Sequence, residues 1–315
     1  MKSYIIDKNN NGVRLDKFVL GVCKSLPGSM VYKYIRKKRI KVNGKKQEAS
    51  YRLISGDKVE LYINDEFFEK QNEDTAFLSV RATPDIIYED SNIIIVNKPA
   101  GLVVHTDDGG EIVNTLISYI KKYLYDKGEY KLSDNFVPSL CNRIDRNTCG
   151  LVIAAKNAAA LRVMNQKIKD REIKKFYYCV VKGIPEPEEA VKKAYIVKDE
   201  EKKEVKVYGT PRDGAKTALT KYKVLKKGSV SSLVEVELLT GRTHQIRAHF
   251  AYMGHPLAGD GKYGEREFNR IMGRKYQALC AYKLKFDFTT DGGVLEYLNG
   301  KTVAIPEEEA ERLIT

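Results

Sequence analysis

Residues 141–155 read CNRIDRNTCGLVIAA. The last five, LVIAA, form a short continuous apolar run of the kind that builds a buried strand. The residues before it are different in kind. Asp145 stands between Arg143 and Arg146, directly ahead of the strand. A loop with no other duty scatters such charges, and a half-buried strand alternates them with apolar residues. A lone carboxylate kept in a cationic setting at a strand entrance is either one half of a salt bridge with Arg143 or Arg146, or an acid held ionised for chemistry as nucleophile or general base. Cys149 and the more distant Cys179 read as small packing residues, since neither has an evident histidine partner.

Moving outward, strands and helices follow from periodicity. DIIYEDSNIIIVNKPAG, starting at Asp85, gives two apolar strands joined by an Asp-Ser-Asn turn and then a Lys98-Pro99-Ala100-Gly101 turn. NAAALRVMNQKIKDREI is a helix with Leu161, Met164 and Ile168 on one face, and KFYYCVVKG, from Lys175, is a strand. Val234, Val236 and Leu238 alternate with Glu235 and Glu237 as a half-buried strand does. TGRTHQIRAHFAYMGHP follows, with Thr243 as cap of a helix carrying Ile246, Phe250 and Met253 and ending at Gly254 before Pro256. Strands in mixed order with few crossover helices define an α+β protein rather than a doubly wound sheet.

The first 68 residues form a separate unit. Leu15, Phe18, Val19 and Val22 make one helical stripe. A second helix, capped by Ser29, carries Val31 and Ile35 on one side and Lys33, Arg36, Lys37 and Arg39 on the other. A short strand ends in the Asn43-Gly44 turn, and GDKVELYI closes the unit. The whole chain of 315 residues carries a net charge of +13. Residues 1–68 hold 15 Lys and Arg against 7 Asp and Glu, most of that excess in under a quarter of the chain. Such charge favours a polyanionic partner, nucleic acid first. Residues 69–83 are polar and aperiodic and read as a linker.

Several classes are set aside. Five cysteines at irregular spacing make neither a disulfide framework nor a metal pair. His244 and His249 are five apart on a helix, one too many for a paired metal ligand. His105 reads as a strand-end residue and DDGGE at 107–111 as a turn rather than a metal loop. GDGKYG at 259–264 has the literal dinucleotide-binding spacing, but follows a helix end where a strand is needed. The opening MKSYIIDKNNNG lacks the apolar stretch of a leader, and no run is long enough to span a membrane. The expected location is therefore the cytoplasm, with reduced thiols.

Four ordered blocks, IIYEDSNIIIVNKPAGLVVH, NRIDRNTCGLVIAAKN, KFYYCVVKG and GRTHQIRAHFAYMGHPLAGDGKYG, together resemble the RluA-type family of RNA pseudouridine synthases over residues 86–264. The helix-helix-hairpin unit ahead of them resembles the S-four RNA-binding domain. The resemblance implies a catalytic domain over 84–315 on a mixed, largely antiparallel sheet, with an RNA-binding domain over 1–68. It implies an enzyme that isomerises uridine in RNA, with ribosomal RNA of the large subunit as substrate, no metal or cofactor, no membrane and a monomeric chain. The alternatives are a synthase acting on transfer RNA and an inactive RNA-binding or assembly factor.

The same resemblance assigns roles. Asp145 matches the essential aspartate, Arg143 the arginine that fills the helix vacated by the flipped base, and Tyr177 the tyrosine packed on that base. Arg242 matches the arginine paired with the aspartate, and Ile246 the apolar wall of the uracil pocket. Lys33, Arg36, Lys37 and Arg39 would lie on the RNA. Asn142, Ile144 and Cys149 depart from the family's usual His, Leu and Ser. The reaction breaks the bond from ribose to ring nitrogen one of uracil, turns the base, and rejoins it through ring carbon five. Each route to it needs a charged acid that water does not solvate away.

Overall fold

The structure, a computed structural model, describes residues 1–7, 9–23, 26–68, 75–105, 114–199, 201 and 204–315. The turn expected at 107–111 and residues 69–74 of the expected linker lie outside them. The N-terminal unit contains β1 (Lys2–Ile5), α1 (Leu15–Val22), α2 (Gly28–Arg36), β2 (Ile40–Val42) and β3 (Lys58–Leu61). Its sheet has the order β1-β3-β2, antiparallel throughout. The first strand is an addition to the expected helix-helix-hairpin. Leu15, Phe18, Val19, Val31, Ile35, Val42, Val59 and Leu61 close a core of their own. Asn43 and Gly44 both take positive φ, 51° and 73°, as a tight type I′ turn requires. Ser29 does not cap α2: Pro27 holds the cap position, because its fixed φ already suits the entry and it has no amide to satisfy.

The larger unit follows in the order β4 (Asp85–Glu89), β5 (Ile93–Lys98), α3 (Leu116–Asp126), β6 (Ser139–Leu140), β7 (Cys149–Ala155), α4 (Ala158–Lys169), β8 (Ile173–Lys182), β9 (Glu189–Asp199), β10 (Glu204–Tyr208), β11 (Lys216–Lys227), β12 (Ser231–Leu238), α5 (Gln245–Tyr252), α6 (Arg266–Met272), β13 (Leu279–Phe286), β14 (Thr302–Ala304) and α7 (Glu307–Arg312). Its strands form one sheet in the order β10-β9-β11-β12-β8-β13-β7-β5-β4, with β14 beside β13 and β6 beside β7. Among the described residues every pairing along it is antiparallel except β13 with β7, which is parallel over Cys280↔Cys149 and Ala281↔Gly150.

That junction sets where the site sits. Strand alternation sends Tyr178 and Val180 of β8 to one face of the sheet, against Met164 of α4. Tyr177, Cys179 and Val181 go to the other face, against Ile246 and Phe250 of α5. On that same face, Val152 and Ala154 of β7 pack against Leu116, Ile120 and Leu124 of α3. Ile144 touches both the α5 cluster and the α3 cluster, so the Asp145 loop lies over the seam between them. Gly150 is the residue the seam demands. Its φ is +110°, and a Cβ there would stand 2.2 Å from the Ala281 carbonyl oxygen. Gly150→Ala is expected to prevent correct closure of the β7–β13 junction, read as loss of the cooperative unfolding transition or of soluble protein.

Candidate active site

Three segments meet at the seam. The first is the loop into β7. Asn142 Oδ1 accepts from the Ile153 amide at 2.8 Å, so the residue that replaces a histidine in the family pattern ties the loop to its own strand. Lys98, at the end of β5, is wholly buried. Its Nζ donates to the carbonyls of Pro99, Leu102 and Arg146 at 2.8, 2.9 and 2.8 Å. Burial pushes this ammonium down to about 8, while Asp145 acts in the opposite direction. The three carbonyls use all three of its N–H donors, and on that ground we take it as charged. Arg146 Nε donates to the Gly101 carbonyl at 3.0 Å, closing the turn on the loop a second time. Arg143 is exposed.

The second segment runs from the end of β12 into α5. Gln245 is buried and locks the turn. Its Oε1 accepts from the Arg242 amide at 3.0 Å and from Thr240 Oγ1 at 2.9 Å, while its Nε2 donates to the Leu219 carbonyl and Thr220 Oγ1, both at 3.0 Å. Thr243 does not cap α5. The preceding position is His244, in left-handed geometry (φ 50°, ψ 23°). The expected pairing of Arg242 with Asp145 is also corrected: Arg242 Nε donates to the Thr217 carbonyl at 3.0 Å. The guanidinium that meets Asp145 is Arg247, in the first turn of α5, with Nη1 2.6 Å from Oδ2. Four residues separate the two arginines. The tight turn at 242–244 sends the first onto β11 and the helix brings the second over the seam.

The third segment is GDGKYG. It is no cofactor turn but a bracket for Arg247. Asp260 Oδ2 and Oδ1 receive Arg247 Nε and Nη2 at 2.7 and 2.9 Å, a two-pronged pair. The same carboxylate accepts the amides of Lys262 and Tyr263 at 2.9 and 3.0 Å. Burial opposes ionisation of Asp260, and the Arg247 pair outweighs it, holding the carboxyl below its usual range. Gly259 permits the bracket: with φ +71°, a Cβ there would meet the Tyr276 carbonyl oxygen at 2.3 Å.

A carboxylate–guanidinium–carboxylate line therefore runs from Asp260, whose side chain is 0% exposed, through Arg247 to Asp145, which keeps 27%. The open end is the acid the loop presents. Tyr177 and Ile246 line the same apolar cluster as Ile144, beside it. Burial, with the Asp145 charge added, pushes the Tyr177 phenol above its usual range. Tyr177 and Ile246 are themselves buried, an apolar wall beside a partly exposed carboxylate. Lys33, Arg36, Lys37 and Arg39 all stand exposed on the separate N-terminal unit. Arg247, Asp260 and Lys98 lie within the family-like blocks of the sequence, yet only their spatial neighbours disclose what they do.

Residues 92–252 match the family model described as RNA pseudouridylate synthase. A ribosomal large subunit pseudouridine synthase C of Vibrio parahaemolyticus is 35% identical over 274 residues, 85% of this chain and 82% of the relative. The uncharacterized RNA pseudouridine synthase YlyB of Bacillus subtilis is 34% identical over 304 residues, covering 95% and 92%. Among solved structures, human RNA pseudouridylate synthase domain containing 1 superposes with a TM-score of 0.56 at 23% identity, covering 71% of this chain and 84% of that one, a likeness of fold. The chain belongs to the RNA pseudouridine synthase family and is an enzyme that converts uridine in RNA to pseudouridine. No helix among the described residues is long and apolar enough to cross a membrane.

Proposed function

We propose that this protein makes pseudouridine in ribosomal RNA of the large subunit, as a cytoplasmic monomer, with Asp145 as the reacting acid. The observation that carries the site reading is the ion pair of Asp145 with Arg247, set against the apolar wall of Tyr177 and Ile246. The target uridine leaves its stack, at a cost of a few kcal/mol, and packing on Tyr177 offsets part of it. Arg143, exposed at the rim, enters the space the base leaves, and Arg242 orders the strand-to-helix turn beside the pocket. The choice of ribosomal RNA rests on relatives named for the large subunit, one of them covering 94% of this chain. An inactive assembly factor would have no use for Asp145, Arg247, Asp260 and Tyr177 kept together. Five cysteines all unpaired suit a reducing compartment.

The test is carbodiimide mapping of pseudouridine in RNA from cells with the gene, without it, and with Asp145→Asn in its place. One or a few positions in large-subunit RNA are expected to lose their signal in the second and third strains. Signals lost only in transfer RNA would replace the substrate, and unchanged maps would overturn the reading.

The division of labour is proposed as well. Residues 1–68 supply affinity for folded RNA through Lys33, Arg36, Lys37 and Arg39, residues 69–83 link, and residues 84–315 carry the reaction. Removing residues 1–68 is expected to flatten the salt dependence of binding by about three log–log units if four phosphate contacts go, at 0.7 to 0.9 for each. Turnover on whole ribosomal RNA should fall far more than turnover on a short stem-loop bearing the target. An unchanged slope with equal turnover on both would make the basic face a solvated surface.

A further inference from the structure

His244 is held by more interactions than a helix entrance needs. Its backbone is left-handed, a conformation that is costly for a residue with a Cβ and that collects at working sites. The turn around it is fixed from both sides by the Gln245 side chain. Its Nδ1 lies 2.8 Å from the Tyr263 hydroxyl, and that ring also packs edge-on against the imidazole. The Val205 amide of β10 donates to the same hydroxyl at 2.9 Å. With its oxygen accepting from that amide, the phenol still has its own hydrogen to place, and Nδ1 is the acceptor beside it; we assign the hydrogen there. The imidazole proton is left on Nε2.

Nε2 faces the site. It stands 3.9 Å from Asp145 Oδ2, beyond hydrogen-bond range, and both side chains keep some exposure, 17% and 27%. A half-buried imidazole whose far nitrogen is fixed by a phenol is thus aimed beside the reacting carboxylate with a donor in hand. Burial lowers its basicity, Asp145 acts against that, and Arg247 and Lys262 add to it, with Asp260 opposing.

Resting on Asp145 as the reacting acid, we infer that His244 is a substrate-binding residue: its Nε2–H donates a hydrogen bond to a carbonyl oxygen of the target uracil. Uracil offers two such oxygens on the ring edge. When the bond from ribose to N1 breaks with its electron pair left on the base, the negative charge spreads from N1 onto those oxygens, and a fixed donor gains strength as it does so. The bond reforms from C1′ to C5, C5 gives up its proton, and N1 takes one, so the donor keeps its own proton throughout. Tyr263 and the Val205 amide are positioning groups that set the tautomer.

The experiment is single-turnover kinetics on a stem-loop carrying the target uridine, with wild type, His244→Phe, His244→Gln, Tyr263→Phe and the Asp145→Asn control. Phenylalanine keeps a ring of similar volume without the donor and should slow the reaction by about 100-fold, the lower end of the range for loss of one fixed donor. Glutamine, whose amide N–H reaches the same place, should recover most of that loss, and Tyr263→Phe should cost less than His244→Phe. A substrate-side measurement separates binding from mere support of the fold: replacing one uracil oxygen by sulfur, a poorer acceptor, should slow the wild type yet add little in the variant lacking the donor. This non-additivity can be read in Tyr263→Phe as well if His244→Phe fails to fold. Between pH 5 and 7 the wild-type rate should show no acid limb from His244, since imidazolium also donates from Nε2. Full activity of His244→Phe, a glutamine variant as slow as phenylalanine, or strictly additive penalties for both sulfur substitutions would overturn the inference. Activity retained by Asp145→Asn would overturn the site reading instead.

Discussion

Asp145→Asn is expected to abolish turnover and to leave RNA binding within about twofold of wild type. The change keeps shape and removes the charge that both attack on the substrate and pairing with Arg247 require. A fall of at least a thousandfold is expected, about 4 kcal/mol at 1.36 kcal/mol per factor of ten. Filter binding and single-turnover assays on the same RNA check the two halves separately. A rate within about tenfold of wild type corresponds to a loss under about 1.4 kcal/mol, too little for the reacting group, and would remove Asp145 from the chemistry.

Arg247→Ala is expected to be nearly as damaging, and in two ways. Turnover should fall by about 10²- to 10³-fold, the range for removing one fixed charge-bearing donor from a site. Stability should fall too, because Asp260 keeps its two backbone donors but loses the guanidinium inside a wholly buried setting. Breaking a buried pair costs about 3–5 kcal/mol, and the two amides place this case near the lower end. Arg247→Lys should rescue little, since one ammonium cannot span Asp145 on one side and both oxygens of Asp260 on the other. Denaturant unfolding alongside kinetics checks both effects; a fully active lysine variant would rule out the bridging geometry.

The acid behaviour follows from the same pair. Asp260 has a folded-state pKa below its ordinary value, so its contribution to stability is complete above the unfolded value of about 3.9 and is lost as pH falls through the folded one. Wild type should therefore lose stability on acidification below about pH 4 more steeply than Asp260→Asn, whose stability is already lower at neutral pH. Parallel curves for the two proteins would show that Asp260 is not held by its charge.

Local patterns exposed much of this in the sequence, and their reach ends where contacts become non-local. The α4 helix is legible because Leu161, Met164 and Ile168 repeat at helical spacing; its cap, Asn157, which accepts the Ala160 amide at 2.9 Å, is seen in the structure. The strand after Asp145 is legible because nothing in LVIAA is polar. The identity of the guanidinium facing Asp145 is not. Arg242 and Arg247 have the same chemistry and differ only in which side of one tight turn they fall, and that depends on Gln245 reaching across to β11. GDGKYG carries a spacing shared by unrelated turns, and its Asp260 gains meaning only from the arginine 13 residues earlier. Lys98 reads as one more turn residue until its three carbonyl partners are seen, one of them 48 residues away. The placing of β13 between β7 and β8 has no local signature either, because its register depends on strands more than a hundred residues upstream.

That placing bears on how the enzyme comes into being on the ribosome. Asp145 belongs to the half of the sheet that ends at β7, while Tyr177 and Arg247 belong to the half that begins at β8, and β13 alone is threaded between them. During vectorial synthesis both halves emerge before the strand that joins them. Neither half can align its share of the pocket until residues 279–286 have left the exit tunnel and slotted in. A nascent chain arrested short of that point presents two unjoined sheet edges, at β7 and β8, and no assembled pocket. Catalytic competence is thus expected only late in translation, once residues 279–286 are available to both sheet edges.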